Sequence, residues 1–150
     1  MANAVQVQIL QDGPRNTVAK FTGELDTSME AYNVKLAPLT YGATYSLGPY
    51  GKPATWRIDF IEFAISDGMS VSLFWDATTP QIILPMAGRG NKHFKNFGGI
   101  SGYTAQASPG WTGGIGLSTS FTSPPPTLTA SDPLVYMIVL DLVKQGPGLS

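Results

Sequence analysis

Apolar side chains in this sequence recur at every second position, the spacing of an extended strand with one buried face rather than of a helical stripe. Val5, Val7 and Ile9 alternate with Gln6 and Gln8. The turn residues Asp12 to Asn16 then lead into a second extended run, Thr17 to Glu24, and together they predict an opening hairpin. Near the other end, LVYMIVLDLVK (134–144) is apolar on both faces and rich in β-branched residues. It reads as a central strand, covered on both sides.

Between these ends the chain is punctuated too often for long helices or a coiled coil: it holds seventeen glycines and twelve prolines in 150 residues. The strongest local signal is TWRIDFIEFAIS followed by MSVSLFWDA, two apolar runs separated by Asp67-Gly68. That dipeptide supplies the positive φ angles of a type I′ turn and predicts a tight hairpin from Thr55 to Ala77. In the register of a two-residue loop Phe60 faces Trp75, Glu62 faces Leu73 and Ala64 faces Val71, the better core candidate. The opposite face pairs Ile61 with Phe74 and Phe63 with Ser72, so a second sheet or a neighbouring subunit is expected to cover it. The same register sets Asp59 against Asp76, a like-charge contact that Arg57 is placed to bridge. Calcium is the alternative counterion.

The remaining strands are shorter. Ile82 to Ala87 contains Pro85 and suits an edge or a bulge, and Tyr103–Ala107 and Gly116–Phe121 are further strand candidates. LDTSMEAY (25–32) offers caps for one helical turn at most. LTYGATYSLGPYGK (39–52) reads as a long surface loop whose tyrosines, Tyr41, Tyr45 and Tyr50, are candidates for partner contact. Seven or eight strands, without an internal repeat or a composition shift, predict a single all-β domain over 1–150. The expected architecture is an antiparallel β-sandwich, jelly-roll-like, with residues 1–12 as an arm or edge strand.

Composition removes several function classes. Nine basic and ten acidic side chains give a formal charge of −1, too balanced to attract a polyanion across a whole face. With no cysteine and one histidine, disulfides, thiolate zinc and iron–sulfur clusters drop out. The opening residues lack a secretory signal, which predicts that the mature chain begins here. The most apolar stretch, Leu134 to Val143, carries Asp141 and is too short to cross a bilayer as a helix. Nucleic acid and membrane are therefore not expected partners.

Catalytic patterns are weak. GRGNKHFKNFGG (88–99) gathers Arg89, Lys92, His93 and Lys95, and its glycine N–H groups could cradle an anion. A solvated or partner-facing loop is the preferred reading, because no strand–loop–helix context surrounds it. Gly48-Pro49-Tyr50-Gly51-Lys52 has the wrong spacing for a nucleotide-binding loop. Ser101 lies in Gly99-Ile100-Ser101-Gly102-Tyr103, which lacks the last glycine of a nucleophile elbow. Asp59 and Glu62 point to opposite faces of a regular strand and do not pair. No catalytic residue, metal ligand or cofactor is expected. Trp56 and Trp75 read as core, and Trp111 in the loop SPGWTGG (108–114) as a residue that could stack on a sugar or a partner protein, with core or interface burial the preferred reading.

Three segments carry a resemblance: MANAVQVQILQDGPRNTVAKFTGELDTS, RIDFIEFAISDGMSVSLFWDATTP and GRGNKHFKNFGG. They are similar to small structural proteins of tailed bacteriophage virions, and most like capsid decoration, or cement, proteins. The resemblance implies a non-enzymatic protein made in the bacterial host cytoplasm and placed on the capsid surface of the virion. There it would bind the major capsid protein, and itself as a homotrimer, and clamp neighbouring capsomers. Contacts are expected from residues 2–11 and from the loops bearing Tyr41, Tyr45, Tyr50 and Trp111. The alternatives are another minor virion component, in the head completion, tail or fibre, and a carbohydrate-binding β-sandwich.

Overall fold

A computed structural model describes residues 3–25, 28–41, 53–121 and 133–146. It contains ten strands: β1 (Ala4–Asp12), β2 (Asn16–Leu25), β3 (Asn33–Leu36), β4 (Thr55–Ile65), β5 (Met69–Trp75), β6 (Gln81–Met86), β7 (Arg89–His93), β8 (Ile100–Ser101), β9 (Ile115–Phe121) and β10 (Leu134–Gln145). Short 3₁₀ turns occupy Pro38–Thr40, Lys95–Phe97 and Gly102–Ala105. No α-helix occurs among the described residues. Every strand pair is antiparallel.

The strands form two sheets. One runs β1-β2-β10-β4-β7, with β8 also paired to β4, and the other runs β3-β9-β5-β6. A single apolar cluster draws on both, with Phe21, Trp56, Ile61, Ile138 and Leu140 from the first and Leu36, Val71, Leu73, Ile115 and Leu117 from the second. This is the expected all-β sandwich. The opening hairpin forms as its turn residues predict, with Val7 opposite Phe21 and Gly13 N–H donating to Asn16 O at 2.8 Å. β10 lies in the centre of its sheet, between β2 and β4, and β6, with Pro85 in it, is an edge.

The predicted hairpin at Asp67-Gly68 does not form. β4 pairs with β10 along ten positions, and β5 pairs with β9 along seven, so the two strands belong to different sheets. Gly68 does adopt a positive φ of 90°, as the turn chemistry requires. Ser66, however, turns to β10: its N–H donates to Val135 O at 2.9 Å and its hydroxyl accepts from Val135 N–H at 3.0 Å. A turn dipeptide fixes where the chain bends, whereas the partner of each strand is decided by long-range apolar pairing. The connection is an arch between sheets, and the register that set Phe60 against Trp75 does not exist.

A bulge in β4 explains which of its residues face inward. Phe60 opposes Asp141 and Ile58 opposes Leu142, so β4 carries one extra residue there. Below it the even positions Trp56 and Ile58 are buried; above it the odd positions Ile61, Phe63 and Ile65 are. Phe60, Glu62 and Ala64 consequently face outward, against the expectation for β4, while Val71, Leu73 and Trp75 of β5 are buried as expected. Tyr103 and Ala105 lie in a 3₁₀ turn instead of a strand, because Ser101 caps it by accepting the Tyr103 N–H at 3.2 Å. Ser28 to Tyr32 form no helix, and Asp26 and Thr27 lie outside the described residues.

Candidate functional site

The outward face of the six-stranded sheet follows from the register. Its rows read Gln6, Thr22, Met137, Ala64, Arg89; then Gln8, Lys20, Val139, Glu62, Asn91; then Gln11, Val18, Asp141, Phe60, His93. Residues directly opposite across a strand pair project to one side, so an apolar line of Val135, Met137 and Val139 runs along β10 between charged flanks. Val135 is 45% exposed, and Met137, Val139, Phe60 and Val18 are half-buried. Among the described residues β10 pairs only with β2 and β4.

At one end the face deepens into an open groove of about 760 Å³. Phe60, Val18 and Leu142 contribute apolar surface, and Arg15, Lys95 and Asp141 are its exposed charged residues. His93 also lines it, with its ring 4.5 Å from that of Phe60. An apolar floor with charges of both signs suits a polypeptide segment better than a small anion. The glycine cradle for an anion is not built. Gly98 and Gly99 take positive φ, but their N–H groups already donate to Lys95 O at 3.1 Å and Phe94 O at 2.8 Å. The basic residues also divide, since Lys92 opposes the inward-facing Ile61 whereas Arg89 and His93 lie on the outward face.

The charge cluster expected of Arg57, Asp59 and Asp76 forms in part. Arg57 Nε and Nη2 donate to Asp59 at 2.9 and 3.2 Å, a forked contact that raises the arginine's pKa further. Asp76 is elsewhere, because the hairpin that would have delivered it is an arch. Its carboxylate accepts from Tyr32 and Thr112, each at 2.7 Å, and burial together with that carboxylate pushes the Tyr32 hydroxyl's pKa upward. The like-charge pair that could have drawn calcium is therefore not assembled. Among the described residues no group of three or more acidic or histidine side chains could hold a metal. Ser101 Oγ donates to Gln145 Oε1 at 2.6 Å, and no hydrogen bond joins it to His93.

The aromatic candidates separate. Tyr41 is a core residue rather than a surface contact: it is 4% exposed, its ring lies 5.3 Å from that of Trp56, and its hydroxyl donates to Asp12 Oδ1 at 2.8 Å. Tyr45 and Tyr50 lie outside the described residues. Trp111 is half-buried, with its ring 5.8 Å from that of Tyr103 and its indole N–H without a partner. Trp56 and Trp75 are buried as expected.

Two buried ionic clusters were not foreseen. Lys144 Nζ lies 2.6 Å from Asp12 Oδ1, with Tyr41 alongside, and joins strands β10 and β1 through a buried ion pair. Glu30 accepts from Lys35 and from the Tyr136 hydroxyl, and so links the second sheet to the first. Burial and the neighbouring Glu30 carboxylate raise the Tyr136 pKa far above its ordinary value. One signal for the first cluster was present in the sequence, since Lys144 shares the parity of the inward-facing Ile138, Leu140 and Leu142. No described helix is long and apolar enough to cross a membrane. In comparisons with known proteins, the chain matches no family model, no curated protein and no solved structure.

Proposed function

We propose that this chain is a non-enzymatic structural protein of a bacteriophage particle, which binds the outer surface of the head and ties neighbouring capsomers together through the major capsid protein. The observation that carries the reading is the outward face of the six-stranded sheet, where Val135, Met137 and Val139 form an apolar line between Lys20, Glu24 and Glu62. An apolar core with a charged rim is the anatomy of a protein-binding surface. The resemblance of the opening, Arg57–Pro80 and Gly88–Gly99 segments gives that surface its partner. The work is done by binding energy: modest contacts, repeated by every copy around a closed shell, combine through avidity and raise the barrier to rupture.

The test is to count copies in purified particles and to add the purified chain back to shells that lack it. A copy number that scales with the capsomers, and shells that then resist heat or osmotic shock, are the expected results. Val139→Lys should abolish rebinding and leave the melting temperature of the chain unchanged. A few copies at one vertex or along the tail would replace the head reading with a minor virion component. Binding on a glycan array, lost in Trp111→Ala, would replace it with a carbohydrate-binding module.

A further inference from the structure

The free edges of the two sheets are not alike. On β7 the edge carries Arg89, Lys92 and His93, all exposed. On β6 it carries Pro85, which has no N–H to offer, and a register shift beside Phe74. β3 is four residues long and irregular in register. Each of these is a usual way of stopping an edge from pairing with another chain. β1 differs: its one register shift falls only after Ile9, beyond a regular run from Ala4 to Ile9. From Ala4 to Gln11 it holds no charge, no proline and no glycine, it stands at the end of its sheet, and it leaves Val5 45% and Leu10 54% exposed. An eight-residue uncharged edge of this kind, Ala4 to Gln11, is a template for a further strand, and its lack of charge calls for a strand equally uncharged.

We propose that β1 pairs antiparallel with β1 of a second copy of this chain, about a two-fold axis at Val7, so that the two six-stranded sheets become one continuous sheet. In that register Val7 meets Val7, Val5 meets Ile9 and Gln6 meets Gln8, which places apolar on apolar and amide on amide at every position from 5 to 9. The apolar side continues the inward row, because Val5, Val7 and Ile9 already oppose Gly23, Phe21 and Ala19. The glutamines lie on the outward face, where their amides can bond across the seam. The register shift at Leu10 ends the match, since it turns Gln11 outward where strict alternation would turn it inward. Five paired positions supply roughly four to six backbone hydrogen bonds, according to which parity directs its N–H outward.

The test is the mass of the full chain in solution, by light scattering over a range of concentrations, for wild type and three variants. Wild type is expected as a dimer. Gln6→Glu/Gln8→Glu sets glutamate against glutamate twice across the seam, while the new carboxylate at position 8 gains Lys20 as its neighbour within the chain, so folding is preserved. It should weaken dimerisation about tenfold or more. Gln6→Lys/Gln8→Glu differs from it only at position 6, sets lysine against glutamate twice, and should dimerise as wild type does. Val7→Cys, in a chain with no other cysteine, should oxidise to a disulfide-linked dimer, since facing strand positions fall within disulfide reach. A monomeric wild type, a trimer, dimers in all variants alike, or a Val7→Cys chain that does not cross-link would each overturn the proposal. None of these results depends on whether the chain binds a shell.

Discussion

Gly23→Ala is the sharpest test of how the first sheet is packed. Gly23 lies on β2 directly opposite Tyr136 of β10, and the tyrosine ring is folded over the space where a side chain would be. A methyl group built on Gly23 would sit 2.5 Å from Tyr136 Cζ and 2.9 Å from its hydroxyl oxygen. Ordinary carbon contacts are about 3.5–4.0 Å, so the ring must withdraw by about 1 Å. Tyr136 is 2% exposed and its hydroxyl donates to the buried Glu30 carboxylate, so the ring cannot withdraw without disturbing that bond. Overpacking costs about 1–3 kcal/mol, and a weakened hydrogen bond to a charged group up to about 1.5–3 kcal/mol. The lower entropy of the unfolded alanine chain offsets about 0.4–1 kcal/mol of this. The net expectation is a loss of about 2–4 kcal/mol, read by urea denaturation, with a melting temperature lower by about 5–15 °C. In a Tyr136→Leu background the same substitution should cost less than about 0.5 kcal/mol, because the ring is gone. An equal loss in both backgrounds, or a loss below about 1 kcal/mol in wild type, would refute the reasoning.

Two further outcomes follow from the buried ionic clusters. Lys144→Met should destabilise the fold by about 3–5 kcal/mol, since it leaves the Asp12 carboxylate inside the protein without its ammonium, and Asp12 Oδ2 already lacks a partner. Lys144→Met/Asp12→Asn should recover much of that loss in the same denaturation assay. The Tyr136 pKa is raised in the folded state, so the hydroxyl's contribution is complete below the unfolded tyrosine value of about 10 and declines as pH rises beyond it. Tyr136→Phe should lower stability at neutral pH yet flatten the alkaline fall between about pH 10 and 12 by up to about 1.4 kcal/mol per pH unit. Parallel alkaline curves for the two proteins would show that the hydroxyl does not titrate as described.

The parts of the fold that were legible in the sequence are those fixed by local chemistry. The Asp12–Asn16 turn, Pro85 on an edge and the doubly apolar run at Leu134 each carry their structural meaning within a few residues. Asp67-Gly68 specifies a turn but not a hairpin, because the strands on either side find better partners far along the chain. The bulge at Asp59 inverts the inward parity of β4, and no local signal announces an inserted residue. Asp12 was hidden for the same reason. Val5, Val7 and Ile9 set an odd inward phase, and only the register shift after Ile9 turns an even-numbered aspartate toward Lys144. Arg57 and Asp59 met because they stand two apart on one strand, whereas Asp76 needed a pairing that the core did not choose.

The place of β10 has a consequence for how the molecule is made. This strand is synthesised after the other nine described strands, yet it is the seam between the β1–β2 hairpin and β4. Until residues 134–145 have emerged from the ribosome, the nascent chain must carry an unfinished sheet with two raw borders. Assembly should accordingly be late, slow and governed by distant closure, and a chain that stalls before Leu134 is a client for a chaperone.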